Sequence, residues 1–134
     1  MTKTAAEIAT EHRTGAASPE ETIAQCYARI RAHDDPAIFI SLRDEADARA
    51  EARAMAAHPR ANALPLLGVP VAVKDDTDVA GEATGRGGRP QLPPAERDAP
   101  TVAQLREVGA VLVGHTNTPD RCLWPSVSGP ARCR

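Results

Sequence analysis

Large apolar side chains are scarce in this chain: Leu, Ile, Val and Phe together make 23 of the 134 residues, while Ala alone makes 26. Burial stabilises by roughly 25 cal/mol for each Å² of apolar surface removed from water, and alanine has little to remove. The large-residue share falls under the usual globular range, so the expectation is one thin core, or part of one. Disorder throughout would require strong net charge as well, and 16 basic against 18 acidic residues leave only -2.

That near-neutral balance also argues against nucleic-acid binding, which needs clustered Lys and Arg, and three aromatic residues offer no stacking platform. The first residues carry no apolar signal core, and no stretch approaches the roughly 18 apolar residues of a membrane span. A cytoplasmic chain with no nucleic-acid and no membrane partner is expected. Cys26, Cys122 and Cys133 are odd in number and lack CxxC spacing, which disfavours both a disulfide framework and a zinc site.

Helices dominate residues 4–57. Thr4 and Glu7 can close a capping box over a short helix that stops at Gly15. Ser18, Pro19 and Glu21 supply cap, first-turn proline and N3 carboxylate for a second, whose Ile23, Cys26, Tyr27 and Ile30 form an apolar stripe. After a brief apolar stretch at 38–42, residues 44–57 read as an Ala-rich helix with Ala46, Ala50, Ala54 and Ala57 on one face, small enough for close packing.

An α/β character starts near residue 64. The run 69–73 reads as a buried strand, residues 75–94 as a long Gly- and Pro-rich surface loop, and Asp98 as the cap of a helix carrying Val102, Leu105 and Val108. Gly109 closes that helix before a second strand at 110–113. Such a crossover would make the two strands parallel. Residues 119–134 are aperiodic and give Trp124 no packing partner.

Lys74 is the residue with most chemical promise, because it follows the apolar run directly and is one of two lysines against fourteen arginines. Two readings stand side by side. Desolvation at the end of a buried strand favours a neutral amine that can act as a base, whereas Asp75, Asp76 and Asp78 nearby favour an ordinary paired ammonium. The three carboxylates do not match a calcium loop and read as solvated turn residues. Residues 84–88 lack the Gly-Lys-Ser/Thr of a phosphate loop. His12, His33, His58 and His115 have no metal-ligand spacing and read mostly as solvated. His115 follows the second strand and can approach the sheet edge that holds Lys74, where open α/β sheets place ligands.

These residues also carry a pattern: PLLGVPVAVKDDTDVAG, then LREVGAVLVG over 105–114 and His115-Thr116-Asn117-Thr118-Pro119. The chain resembles the amidase signature family over most of residues 4–124. The resemblance implies an α/β fold, N-terminal helices followed by the first strands of a mixed sheet flanked by helices. It implies cleavage of small-molecule amides through an acyl-enzyme by a Ser-cisSer-Lys triad, with Lys74 as the lysine and with no metal or organic cofactor. A serine needs such a base, and the tetrahedral intermediate needs aimed N–H donors.

The departures from the family pattern matter as much. No GSSGG-like run, the family's carrier of the catalytic serines, occurs in the 134 residues, and Ser126 and Ser128 lack a glycine-rich frame. His115 stands where the family usually has lysine, and Asp76 and Thr77 replace Asn and an apolar residue. The expectation is an inactive N-terminal fragment of one amidase domain, an incomplete domain with a helical region at 4–57, the start of the α/β core at 64–118 and a tail at 119–134. The rival expectations are a small interaction protein, or one half of a split amidase, self-associating or joined to a complementing chain through exposed strand edges. Loss of the pattern after Trp124 points to premature termination or a changed reading frame. Resequencing the locus is expected to show the serine segment out of frame, and an intact in-frame segment would overturn this.

Overall fold

The computed structural model describes residues 2–85 and 93–117. Trp124, Ser126, Ser128, Cys122, Cys133, Gly87 and Gly88 lie outside the described residues. The elements in order are α1 (Ala5–Thr14), α2 (Pro19–His33), β1 (Phe39–Leu42), α3 (Glu45–Ala56), a 3-10 turn (Ala61–Ala63), β2 (Pro70–Lys74), α4 (Pro100–Glu107) and β3 (Val111–Thr116). The strands form one sheet in the order β1-β3-β2. β1 runs antiparallel to β3, with Phe39 opposite Thr116, Ser41 opposite His115 and a bulge between them. β2 runs parallel to β3: Val111 N bonds to Val69 O near their starts and Asp75 N to Thr116 O near their ends. The fold is therefore α/β with a mixed sheet, as expected. Among the described residues no helix is long and apolar enough to cross a membrane.

The described chain divides into two compact units, one of residues 2–34, 43–71 and 104–113, the other of 35–42, 72–85, 93–103 and 114–117. In the first, local chemistry sets the helices. The Thr4 hydroxyl accepts the Glu7 N–H at 3.3 Å while the Glu7 carboxylate accepts the Thr4 N–H at 2.7 Å, and these bonds from Thr4 hold the Glu7 carboxyl below its ordinary pKa. α1 ends at Gly15 with φ +74°. Ser18 caps α2, with Pro19 in its first turn.

Packing then uses few large groups. Ile23 and Tyr27 of α2 are buried, while Cys26 and Ile30 are half-buried, so half of the apolar stripe is core. The Tyr27 hydroxyl donates towards Arg43 O at 2.8 Å and Val113 O at 3.2 Å, and burial pushes its pKa up to about 12. The face of α3 differs from expectation. Ala48 and Ala52 are buried, whereas Ala46, Ala50, Ala54 and Ala57 are exposed. An alanine-rich helix has no hydrophobic contrast to choose a face, and charges choose it instead: Glu20 of α2 receives Arg49 at 3.0 Å and Arg53 at 2.7 Å. The Arg53 bond leads in holding the Glu20 carboxyl down at about 2.

His12 is buried rather than solvated. Its Nδ1 lies 2.6 Å from Leu67 O and its Nε2 2.7 Å from the Thr22 hydroxyl, so α1, α2 and the approach to β2 meet at one ring. A neutral ring serves both, donating to the carbonyl and accepting from the hydroxyl. Gly68 passes this ring with φ +66°, and an added Cβ would sit 2.5 Å from Pro19 Cβ and 3.0 Å from His12 Nδ1.

The other expectations for the sheet need adjustment. β2 is buried at Val73 but only half-buried at residues 70–72. β3 is longer than 110–113 and lies in the middle of the sheet, so its edges are paired and the outer strands are β1 and β2. α4 begins at Pro100, which puts the cap position at Ala99, while the Asp98 carboxylate accepts the Ala80 N–H at 2.8 Å.

Gly68→Ala is expected to destabilise the chain by about 2 kcal/mol or more, from overlap plus left-handed strain. Gly15→Ala has a positive φ and nothing within 4 Å of the new Cβ, and should cost about 1 kcal/mol. Urea denaturation of both variants checks this; equal losses would show that the His12 corner is not tightly packed.

Candidate functional site

Lys74 closes β2, and a turn follows at once, in which Thr77 N donates to Lys74 O at 2.9 Å. The lysine is not desolvated: its side chain is 46% exposed and its Nζ lies 2.8 Å from Asp76 Oδ2. Of the two readings left open by the sequence, the geometry is that of the paired ammonium. The carboxylate involved is Asp76, one of the residues in which this chain departs from the family pattern.

The three acidic residues after β2 are not one solvated group. Asp75 is buried, and its backbone is held on both sides, its N–H donating to Thr116 O and its carbonyl accepting from Gly85 N. Asp76 also lies 3.4 Å from the Thr77 hydroxyl. Asp78 is exposed, and its carboxylate accepts the Thr84 hydroxyl at 2.6 Å. The described part of the expected loop is an organised structure: Gly81 N bonds to Ala95 O, Ala95 N to Glu82 O and Ala99 N to Asp78 O. Among the described residues no group of three or more His, Cys, Asp and Glu could hold a metal ion.

His115 lies within β3 rather than after it, and it is 1% exposed. Its Nδ1 is 3.1 Å from Glu82 Oε2 and 3.3 Å from Ser41 Oγ, and its Nε2 is 3.2 Å from Thr77 O. Sequence reasoning named His115 as a neighbour of the Lys74 edge but missed its burial and the roles of Glu82 and Ser41. The register of β1, which sets Ser41 opposite His115, carries no local sequence signal. Gly114 allows this closeness, since an added Cβ would lie 2.3 Å from Ser41 O. His33 and His58 are exposed as expected. Cys26 is a free thiol, and burial raises its pKa.

The fold thus places a lysine and a histidine near the carboxyl ends of two adjacent parallel strands. The same arrangement of the chain occurs in amidases of known structure. A crystal structure of an amidase aligns with TM-score 0.75 and 34% identity over 87% of this chain and 27% of that one. The peptide amidase of Stenotrophomonas maltophilia aligns with TM-score 0.71 and 30% identity over 87% of this chain and 25% of its own. In sequence, AmiB2 of Mycobacterium tuberculosis, which carries an amidase name, is 50% identical over 80 residues, 58% of this chain and 17% of its own length. One subunit of the glutamyl-tRNA(Gln) amidotransferase of Oleidesulfovibrio alaskensis is 37% identical over 134 residues, 98% of this chain and 26% of its own length.

The two proteins of known structure are amidases. Residues 21–132 match the Amidase family, and the chain belongs to it. The chain spans about a sixth to a quarter of the length of these relatives.

With only Lys3 and Lys74 in the sequence, amine acylation followed by peptide mapping isolates the Asp76 contact. Asp76→Asn is expected to raise the acylation rate of Lys74 several-fold while leaving Lys3, paired with Glu11 at 2.7 Å, unchanged. Equal rates at Lys74 in both proteins would show that Asp76 does not restrain the amine.

Proposed function

We propose that this chain carries the lysine-bearing part of an amidase-type hydrolase of small-molecule amides, with Lys74 in the place of the triad base. The observation that carries this is the position of Lys74 at the carboxyl end of β2, inside the GVPVAVKD segment of a chain matched to the Amidase family. In this reading the lysine amine accepts a proton through a bridging serine, a second serine attacks the carbonyl carbon, and backbone N–H groups receive the oxyanion. The amine must be neutral to begin that sequence. Asp76 opposes this step, because a carboxylate at 2.8 Å favours the charged form.

By itself the 134-residue chain is proposed to be inactive towards amides. It contains no GSSGG-like run to supply the attacking hydroxyl, and a base without a nucleophile activates nothing. A cytoplasmic location is part of the same reading, supported by the free Cys26 thiol. Purified chain and its Lys74→Ala variant are expected to hydrolyse a chromogenic anilide at the same background rate. Reproducible activity that the substitution abolishes would overturn the proposed inactivity.

A second reading, that the chain docks on another polypeptide, is favoured by one observation: Ile38, Ile40 and Leu42, in and beside the outer strand β1, are 39%, 42% and 43% exposed. Sedimentation of a cooperatively folded monomer counts against that reading.

A further inference from the structure

The amidase reading leaves the buried imidazole of His115 without a task, and its surroundings are unusual for a histidine that merely fills space. A serine hydroxyl, a carboxylate and an imidazole within hydrogen-bond reach suggest a nucleophilic relay, but the geometry excludes it here. A relay needs hydroxyl and carboxylate on opposite ring nitrogens. In this site Ser41 and Glu82 share Nδ1, and Nε2 faces the Thr77 carbonyl.

A carbonyl can only accept, so the Thr77 contact assigns a hydrogen to Nε2. A neutral ring then leaves Nδ1 as an acceptor facing a carboxylate at 3.1 Å, an arrangement of two acceptors with no proton between them. The imidazolium satisfies both sides, donating from Nε2 to Thr77 O and from Nδ1 to Glu82. Once the proton leaves, the Ser41 hydroxyl can donate to Nδ1 in place of the lost bond, and Glu82, 30% exposed, can turn to water. Each protonation state thus has its own partner.

We propose that His115 is a positioning residue, a proton-dependent clamp that fastens the segment 77–82 to β3 and so sets the turn in which Asp76 holds Lys74. Its bearing on catalysis rests on the Lys74 reading; the clamp itself does not. The groups facing the ring are Glu82 and the Thr77 carbonyl from the loop and the Ser41 hydroxyl from β1. The remaining charges on this part of the chain are the buried Asp75, the Lys74–Asp76 pair and the exposed Asp78, whose carboxylate accepts the Thr84 hydroxyl. With the ring protonated the loop is tied at Glu82. Loss of the ring proton removes that tie, and the bonds from Gly81 and Ala95 across the loop lose their support.

The test uses the full chain, following the His115 ring nitrogens by NMR from about pH 5 to about pH 9 and measuring hydrogen exchange at the Gly81, Gly85 and Ala95 amides, corrected for the intrinsic pH dependence. Protection is expected to fall roughly tenfold in step with loss of the ring proton. Glu82→Gln should abolish the step, and Ser41→Ala, which removes the partner of the neutral ring, should move it to higher pH. Protection that does not change across the ring's titration, or a step that survives in Glu82→Gln, would overturn the clamp. None of these readouts requires amide hydrolysis, so a failed clamp and a failed assignment of Lys74 give separate results.

Discussion

The structure depends on β3 having a partner along each edge. In a chain with so few large apolar side chains, a strand buried from Val111 to His115 could not stand with open N–H and C=O groups, because each unpaired buried group costs about as much as a hydrogen bond gains. β2 satisfies one edge and β1 the other. Backbone pairing therefore does part of what burial does in richer cores. The Tyr27 hydroxyl adds a side-chain bond to the same strand at Val113 O. Few large aliphatic groups are fully buried, Ile23 and Val111 in one unit and Val79 and Val102 in the other.

The site follows from that arrangement. Parallel strands end side by side, and Lys74, the last residue of β2, and His115, one residue short of the end of β3, are the positions where a chemically active group can leave the sheet. One does so and one does not. Lys74 reaches water and an aspartate, while His115 stays inside the sheet and takes its partners from a loop and from the strand opposite. Two carboxylates of one short loop, Asp76 and Glu82, thus lie within ion-pair reach of a lysine on β2 and a histidine on β3.

Local features were legible in the sequence, and distant ones were not. The Thr4–Glu7 box, the Ser18–Pro19 start, the stop at Gly15 and the β2-α4-β3 order follow from residues a few positions apart, and all are present. The packed face of α3 was misread because Ala46 and Ala48 have the same side chain; only the partners Glu20, Arg49 and Arg53, spread over two helices, distinguish the two sides. The burial of His12 and His115 depends on Leu67, Thr22, Glu82 and Ser41, ten to more than seventy residues away. No periodicity carries that information. The environment of Lys74 lay between these cases: both the strand and the carboxylates were visible, but which of them governs the amine is a matter of side-chain torsions.

The alanines that α3 turns outward carry a consequence of their own. A methyl group has no rotamers to freeze and forms no outward contacts, so this surface contributes helix propensity and nothing else. Ala46 and Ala50 are exposed, so a charge or a tag placed there takes away no buried contact, a blank margin on a helix whose buried face carries Ala48 and Ala52.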